Sequence, residues 1–331
     1  MDHVALGRTG LQVSQLCLGT MTFGLQCDEP TSVGILDAAF DAGIDFLDAA
    51  DVYPLGGGLD TVGRTEEIIG RWMKGKREDV IVATKCVGSM GVKPWQQGMS
   101  RKHVLDAIDE SLRRLGTDYV DLYQLHGDDR QTPIDEVLEA LDVVVRSGKA
   151  RYVGVSNWLA YRLARAVGRS EARGLVRFDS VQPRYNLLFR QIERELLPLC
   201  LEEGIAVIPY NPIAGGLLSG KHGGASTEPE AGTRFTIGTA GEIYTKRYWH
   251  EQEFATVEEL KSLAADAGLP LVTLAVAWVA AHPAITSPIV GASRPEQLAD
   301  SVKATEVTLD PDLKAKLDTV TREYRKGDAP R

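Results

Sequence analysis

The chain has 331 residues, 44% hydrophobic and 25% charged, with 46 acidic against 37 basic side chains and a formal net charge of −9. That length is long for an average domain but ordinary for one α/β barrel with insertions, and it can bury a large core. The acidic balance argues against nonspecific binding to nucleic acid or an anionic membrane, and it leaves room for a local basic pocket around one anionic ligand.

Four scattered cysteines, Cys17, Cys27, Cys86 and Cys200, form no CxxC pair, which fits a reduced, cytoplasmic setting. The first residues, MDHVALGRTG, show no basic start followed by an apolar stretch, so no secretory signal is expected. The most apolar stretch, 269–281, is too short for a bilayer and reads as a core helix.

In chain order, Val4-Ala5-Leu6, the turn Gly7-Arg8-Thr9-Gly10 and Leu11-Gln12-Val13 read as a hairpin over about residues 1–14, suited to closing the bottom of a barrel. Short apolar or β-branched runs follow at 15–18, 46–47, 80–83, 120–124, 150–155, 180–182, 205–209 and 285–290. Amphipathic helical segments separate most of them. Ser100 is placed to cap one helix, with Val104, Ile108, Leu112 and Leu115 at helical spacing and Gly116 as its stop. Thr132-Pro133 with Asp135 reads as the cap of a second, which ends at Gly148. Arg294-Pro295-Glu296 opens another. A last helix near 310–324, within a C-terminal segment of about 308–331, ends in polar residues expected to fray. Alternating strands and helices predict an α/β fold, a (β/α)8 TIM barrel of one domain over 1–331, with an N-terminal β-hairpin and an extra C-terminal helix. The Gly-rich stretch 211–235 is long for a connector and reads as a functional loop.

Four chemically active residues sit at or just past the ends of these runs: Asp48 and Tyr53 in LDAADVY, Lys85 in VIVATK and His126 in VDLYQLH. The C-terminal ends of barrel strands are where chemistry is done. A phenol near pKa ~10 is a poor acid at neutral pH, and a neighbouring ammonium is expected to lower that value. Lys85 is that ammonium, Asp48 its partner, and His126 a donor that can orient a carbonyl oxygen. Each alone also reads as a salt bridge, a loop anchor or a structural histidine. Their conjunction at successive strand ends carries the catalytic reading. His3, His103, His222, His250 and His282 have no partner at ligand spacing, so no metal site is expected.

These segments resemble the aldo-keto reductase family. The resemblance rests on Asp48-Ala49-Ala50-Asp51-Val52-Tyr53, Thr84-Lys85 and Leu125-His126. It extends to Gly43-Ile44-Asp45-Phe46 and to the run from Ser111 to Leu122. It covers nearly the whole chain and is closest to the prokaryotic branches that include potassium-channel β-subunit-like proteins. It implies NADPH/NADP+ as cofactor without a GxGxxG motif, and Gly56-Gly57-Gly58 is too short and wrongly placed for one. Carried over by position, Ser156, Asn157 and Gln182 would bond the nicotinamide amide, and Tyr210 would stack on its ring. Gly19, Thr20, Met21 and Asp48 are further cofactor contacts that the resemblance implies. Asn211, Pro212, Ile213, Gly215, Leu217 and Lys221 belong to the loop that would cross the pyrophosphate. Gly291, Ser293 and Arg294 would hold the 2′-phosphate at a helix start. Gln297 matches a further cofactor contact, and Ser301 stands where the family has asparagine. Ala49 stands where threonine is frequent. Phe23 and Trp95 are expected beside the substrate, together with Tyr53 and His126.

The resulting expectation is a cytoplasmic, NADPH-dependent reductase of aldehydes or ketones, with a homo-oligomer compatible. An NADPH-binding regulatory subunit and a Schiff-base lyase using Lys85 are the competing readings.

Overall fold

The computed structural model describes residues 1–326; the expected fraying beyond them lies outside the described residues. Strand β1 (His3–Ala5) pairs antiparallel with β2 (Gln12–Ser14), Val4 opposite Val13. Eight parallel strands follow: β3 (Cys17–Gly19), β4 (Phe46–Asp48), β5 (Ile81–Cys86), β6 (Val120–Leu125), β7 (Ala150–Ser156), β8 (Ser180–Gln182), β9 (Ala206–Val207) and β10 (Ile289–Val290). Each of the eight expected runs overlaps one of them, and five of the strands reach one to three residues further toward the C-terminus. Neighbours follow chain order from β3 to β9, and β10 lies against β3. Parallel bridges Val207–Ile285 and Tyr210–Ile289 join the remaining two edges. The sheet is therefore a closed barrel without free edges. Beside the seam, Ser287 Oγ donates to the Ser14 carbonyl at 2.9 Å.

The hairpin closes the lower end. Leu6 and Val13 pack against Cys17, Phe46, Ala83, Leu122, Ala206, Ile208 and Ile289 inside the barrel. Gly7 makes this seat possible. Its φ is 59°, and a Cβ there would stand 2.5 Å from the Gly204 carbonyl oxygen, which accepts the Arg8 N–H at 2.8 Å.

The outer helices cover the strands as the apolar spacing implies. The helix Arg101–Leu115 starts at Ser100, whose Oγ accepts the His103 N–H at 3.3 Å, and ends at Gly116 with φ 64°. The helix Ile134–Arg146 corrects the second cap. Thr132 Oγ1 donates to Asp129 Oδ2 at 2.6 Å, and Pro133 takes the cap position with no side-chain bond. A charge-assisted bond to a carboxylate outcompetes a neutral helix cap. The expected last helix also divides. Pro311–Val320 is α-helical, capped by Asp310, and a 3-10 turn spans Arg322–Lys326. Thr321 between them is held from both sides, donating to the Leu317 carbonyl at 2.7 Å and accepting Arg190 Nη1 at 2.8 Å. The apolar stretch forms the helix Leu271–Ala280, almost wholly buried. No single described helix is long and apolar enough to cross a membrane; the bent pair Glu251–Asp266 and Leu271–Ala280 passes by length and composition, with 93° between its helices.

Candidate active site

The opposite mouth of the barrel is polar, and strand register explains how. Lys85 pairs with Gln124, and Gln124 with Gly154. Inward-facing positions recur every second residue, so Phe46 and Asp48, Ala83 and Lys85, and Leu122 and Gln124 are successive steps up three strands. Gly154 leaves room for this layer, since a Cβ there would meet Ser180 Oγ at 2.1 Å.

Lys85 is 0% exposed. Its Nζ donates to Asp48 Oδ2 at 2.6 Å, to the Ala49 carbonyl at 2.8 Å and to Tyr53 Oη at 3.4 Å. Asp48 Oδ1 accepts Gln182 Nε2 at 2.8 Å and Gln124 Nε2 at 3.2 Å. Tyr53 is 7% exposed, in the turn after β4. The His126 ring stands edge-on to it, centroids 5.5 Å apart and planes at 77°. The structure thus brings together the four side chains singled out in the sequence.

Their protonation differs from expectation at one point. Burial pushes the Tyr53 phenol up to about 12; Lys85 pulls against this and Asp48 adds to it. The expectation that Lys85 lowers the phenol below its ordinary value is therefore corrected, because loss of water outweighs one ammonium. Burial also works against the Lys85 ammonium, but Asp48 and then Tyr53 more than offset it and its pKa is raised. For His126, burial and then Lys85 push the value down to about 3, although part of the residue reaches solvent. The imidazole is neutral at working pH, so one ring N–H remains a donor.

The other site residues fall into groups. Ser156 Oγ donates to the Gln182 carbonyl at 2.9 Å. Exposed Asn157, at φ 62°, donates to the His126 carbonyl at 3.3 Å and accepts the Tyr210 hydroxyl at 2.9 Å. These three stand at or past the ends of β7 and β9, on either side of β8. Gln182 instead turns its amide onto Asp48. Gly19 ends β3, Met21 follows it, and Thr20 between them donates to the Asp48 carbonyl at 2.9 Å. In the Gly-rich loop, Asn211 at φ 69° accepts the Gly215 N–H at 2.5 Å. Gly215, at φ 70°, lies so close to Tyr244 that a Cβ would meet its ring at 2.5 Å, with Arg234 at 3.5 Å. Pro212 and Leu217 are buried, Ile213 half-buried and Lys221 exposed. Past Gly291, Ser293 donates through N–H and Oγ to Gln297 Oε1 at 2.9 and 3.1 Å, and exposed Arg294 precedes the turn Pro295–Gln297.

Two side chains lie apart from any open surface. Ser301 is buried in the helix Leu298–Lys303. Phe23, expected beside the substrate, is 0% exposed within the main hydrophobic core. Trp95 is 50% exposed in the loop after β5, with Lys93 Nζ 5.4 Å from its ring.

Sequence reasoning missed Gln124 and the helix Gly238–Tyr248. Gln124 carried a signal, a polar residue two positions beyond Leu122 on the same strand face. Tyr248 Oη accepts Asn186 Nδ2 at 3.0 Å and Asn211 Nδ2 at 2.9 Å, anchoring the Gly-rich loop from a segment with no sequence motif. Among the described residues no group of three His, Cys, Asp or Glu side chains is placed to hold a metal ion.

The model of the "Aldo/keto reductase family" matches residues 15–322. An "Uncharacterized oxidoreductase YrpG" of Bacillus subtilis is 40% identical over 95% of this chain and 94% of its own length. A "Probable voltage-gated potassium channel subunit beta" of Oryza sativa subsp. japonica is 36% identical over 97% of both chains. A "Versiconal hemiacetal acetate reductase" of Aspergillus parasiticus is 32% identical over 94% of both. With a match spanning nearly every strand and helix of the barrel, the chain belongs to the aldo/keto reductase family.

Proposed function

We propose that the protein is an NADPH-dependent reductase of aldehydes or ketones. Family membership and the oxidoreductase names of its relatives support the coarser statement, an oxidoreductase. The observation that carries the finer one is the buried chain Asp48–Lys85–Tyr53 beside a neutral His126 at the barrel mouth.

Tyr53 Oη accepts from Lys85, so its own proton is free to point toward a substrate oxygen. With its pKa at about 12, the phenol is protonated at working pH, the state an acid needs. As the proton leaves, negative charge develops on Oη next to an ammonium already in place. That is stabilisation specific to the transition state. Asp48, held by Gln182 and Gln124, fixes the ammonium. His126 offers an N–H to the same carbonyl oxygen. A bound reduced nicotinamide would supply the hydride. Ser156, Asn157 and Tyr210 are grouped to hold its amide and ring. Gly215, with Arg234 beside it, belongs to the loop that would cross a pyrophosphate, and exposed Arg294 suits a further phosphate.

Fluorescence titration with NADPH and NADH, followed by 4-nitrobenzaldehyde or a small diketone in the same cuvette, tests this. Tight NADPH binding with repeated turnover is expected. Tight binding without turnover on any carbonyl compound would move the reading to a regulatory subunit. Failure to bind either nucleotide would remove the cofactor assignment.

A further inference from the structure

Asp51 lies two residues before Tyr53 in the same turn, 0% exposed, and neither carboxyl oxygen has a hydrogen-bond partner. The neighbouring Val52 amide lies close without reaching hydrogen-bond geometry. The backbone N–H of Asp51 donates to the Lys85 carbonyl at 3.0 Å, which ties this residue to the strand that carries the ammonium.

The titratable and charged groups facing it are Glu66, Arg114, Lys85, Cys86 and Tyr123. None of them donates a hydrogen bond to it. Arg114 Nε donates to Glu66 Oε2 at 2.7 Å, and Thr84 Oγ1 to Glu66 Oε1 at 2.5 Å. The ammonium of Lys85 has three protons, and Asp48, Ala49 and Tyr53 accept all three. Asp48 and Glu66 already balance Lys85 and Arg114 in ion pairs. An ionised Asp51 would be a third, unpaired carboxylate, buried at 0% exposure, and such a charge neutralises instead.

We propose that Asp51 is a positioning residue for the Tyr53–Lys85 pair, kept as an uncharged carboxylic acid so that the ammonium answers to Asp48 and Tyr53 alone. Burial, and then the charge of Glu66, also push its pKa well above the carboxylate range. The consequence for turnover rests on the reductase reading; the protonation state does not. If rising pH ionises Asp51, a new negative charge appears behind Lys85. The phenol becomes a weaker acid, and reduction slows.

The experiment compares the wild type with Asp51→Asn, which keeps the shape and is always neutral. In the infrared difference spectrum at neutral pH, the wild type should show the carbonyl stretch of a protonated carboxylic acid that the variant lacks. Absence of that band overturns the proposal. If the variant does not fold, carboxyl-labelled aspartate in the wild type decides the same point: one buried carboxyl must titrate above neutral pH by carbon NMR. In kcat/KM for 4-nitrobenzaldehyde with NADPH, D51N should lie within about twofold of wild type at neutral pH, with its alkaline fall moved to higher pH. Coincident profiles overturn the positioning role. NADPH binding with no turnover at all would overturn that role together with the reductase reading, while the infrared band would still decide the state of Asp51.

Discussion

The two ends of this barrel are built from the same strands, on the same inward face, and behave as opposites. At the lower end Phe46, Ala83 and Leu122 meet Leu6 and Val13 of the hairpin in an apolar plug. Two residues further on, Asp48, Lys85 and Gln124 form a hydrogen-bonded polar layer. At about 3.3 Å per residue these layers are only about 7 Å apart. The plug buries area and needs nothing beyond shape. The upper layer buries charge, so each group needs a partner, and its geometry is correspondingly specific. Stability and chemistry are thus divided along each strand rather than between regions of the chain.

The sharpest way to break this division is Tyr53→Phe. Removal of the proton donor is expected to lower kcat for carbonyl reduction by about 10²–10⁴-fold, with NADPH affinity and melting temperature near wild type. A variant that still turns over at wild-type rate would show that the upper layer is structural after all. Phe46→Ala probes the other end. It should cost about 3–5 kcal/mol of stability in chemical denaturation, while kcat/KM of the folded protein holds. A loss of kcat without loss of stability would merge the two ends into one unit. Arg294→Ala is milder. Losing a charge-assisted bond of about 1.5–3 kcal/mol should weaken NADPH by about tenfold or more and leave NADH nearly unchanged in fluorescence titrations. Equal weakening of both would place Arg294 away from a 2′-phosphate.

The last expected effect is confined to acid pH. The folded His126 has its pKa lowered to about 3, so it binds fewer protons than the unfolded chain between there and the ordinary histidine value near 6.5. Its contribution to stability is therefore present above that range and is lost as pH falls through it. Replacing His126 with Asn should flatten the acid side of the stability profile without adding any inflection above neutral pH. An inflection in wild-type kcat/KM near pH 6.5 that vanishes in this variant would contradict a neutral imidazole.

The sequence made the barrel legible because parallel strands and amphipathic helices carry different periods, and every strand run stood out from its helix. It made Asp48, Tyr53, Lys85 and His126 legible because charged or titratable residues end otherwise apolar segments. It was silent where the signal is three-dimensional. Thr132 has the chemistry of a cap, but its hydroxyl instead donates a hydrogen bond to Asp129 three residues away. Phe23 follows a segment at the barrel mouth, yet it is fully buried. Lys85 does pull the Tyr53 phenol down, but the net value is raised because desolvation depends on everything packed around the phenol, and no local motif reports that sum. Tyr248 reaches Asn211 only through the path of the long loop, which has no period to read.

The seam beside β10 has a bearing on how the molecule is made. Ser287 and Ser14, bonded across it, are 273 residues apart in the chain. A ribosome must therefore release almost the whole polypeptide before the first barrel strand meets its final neighbour. Until then β3 presents an open edge, and contacts of such long sequence separation form slowly. The nascent chain is accordingly most prone to aggregation late in synthesis, when seven strands are out and the eighth is still missing.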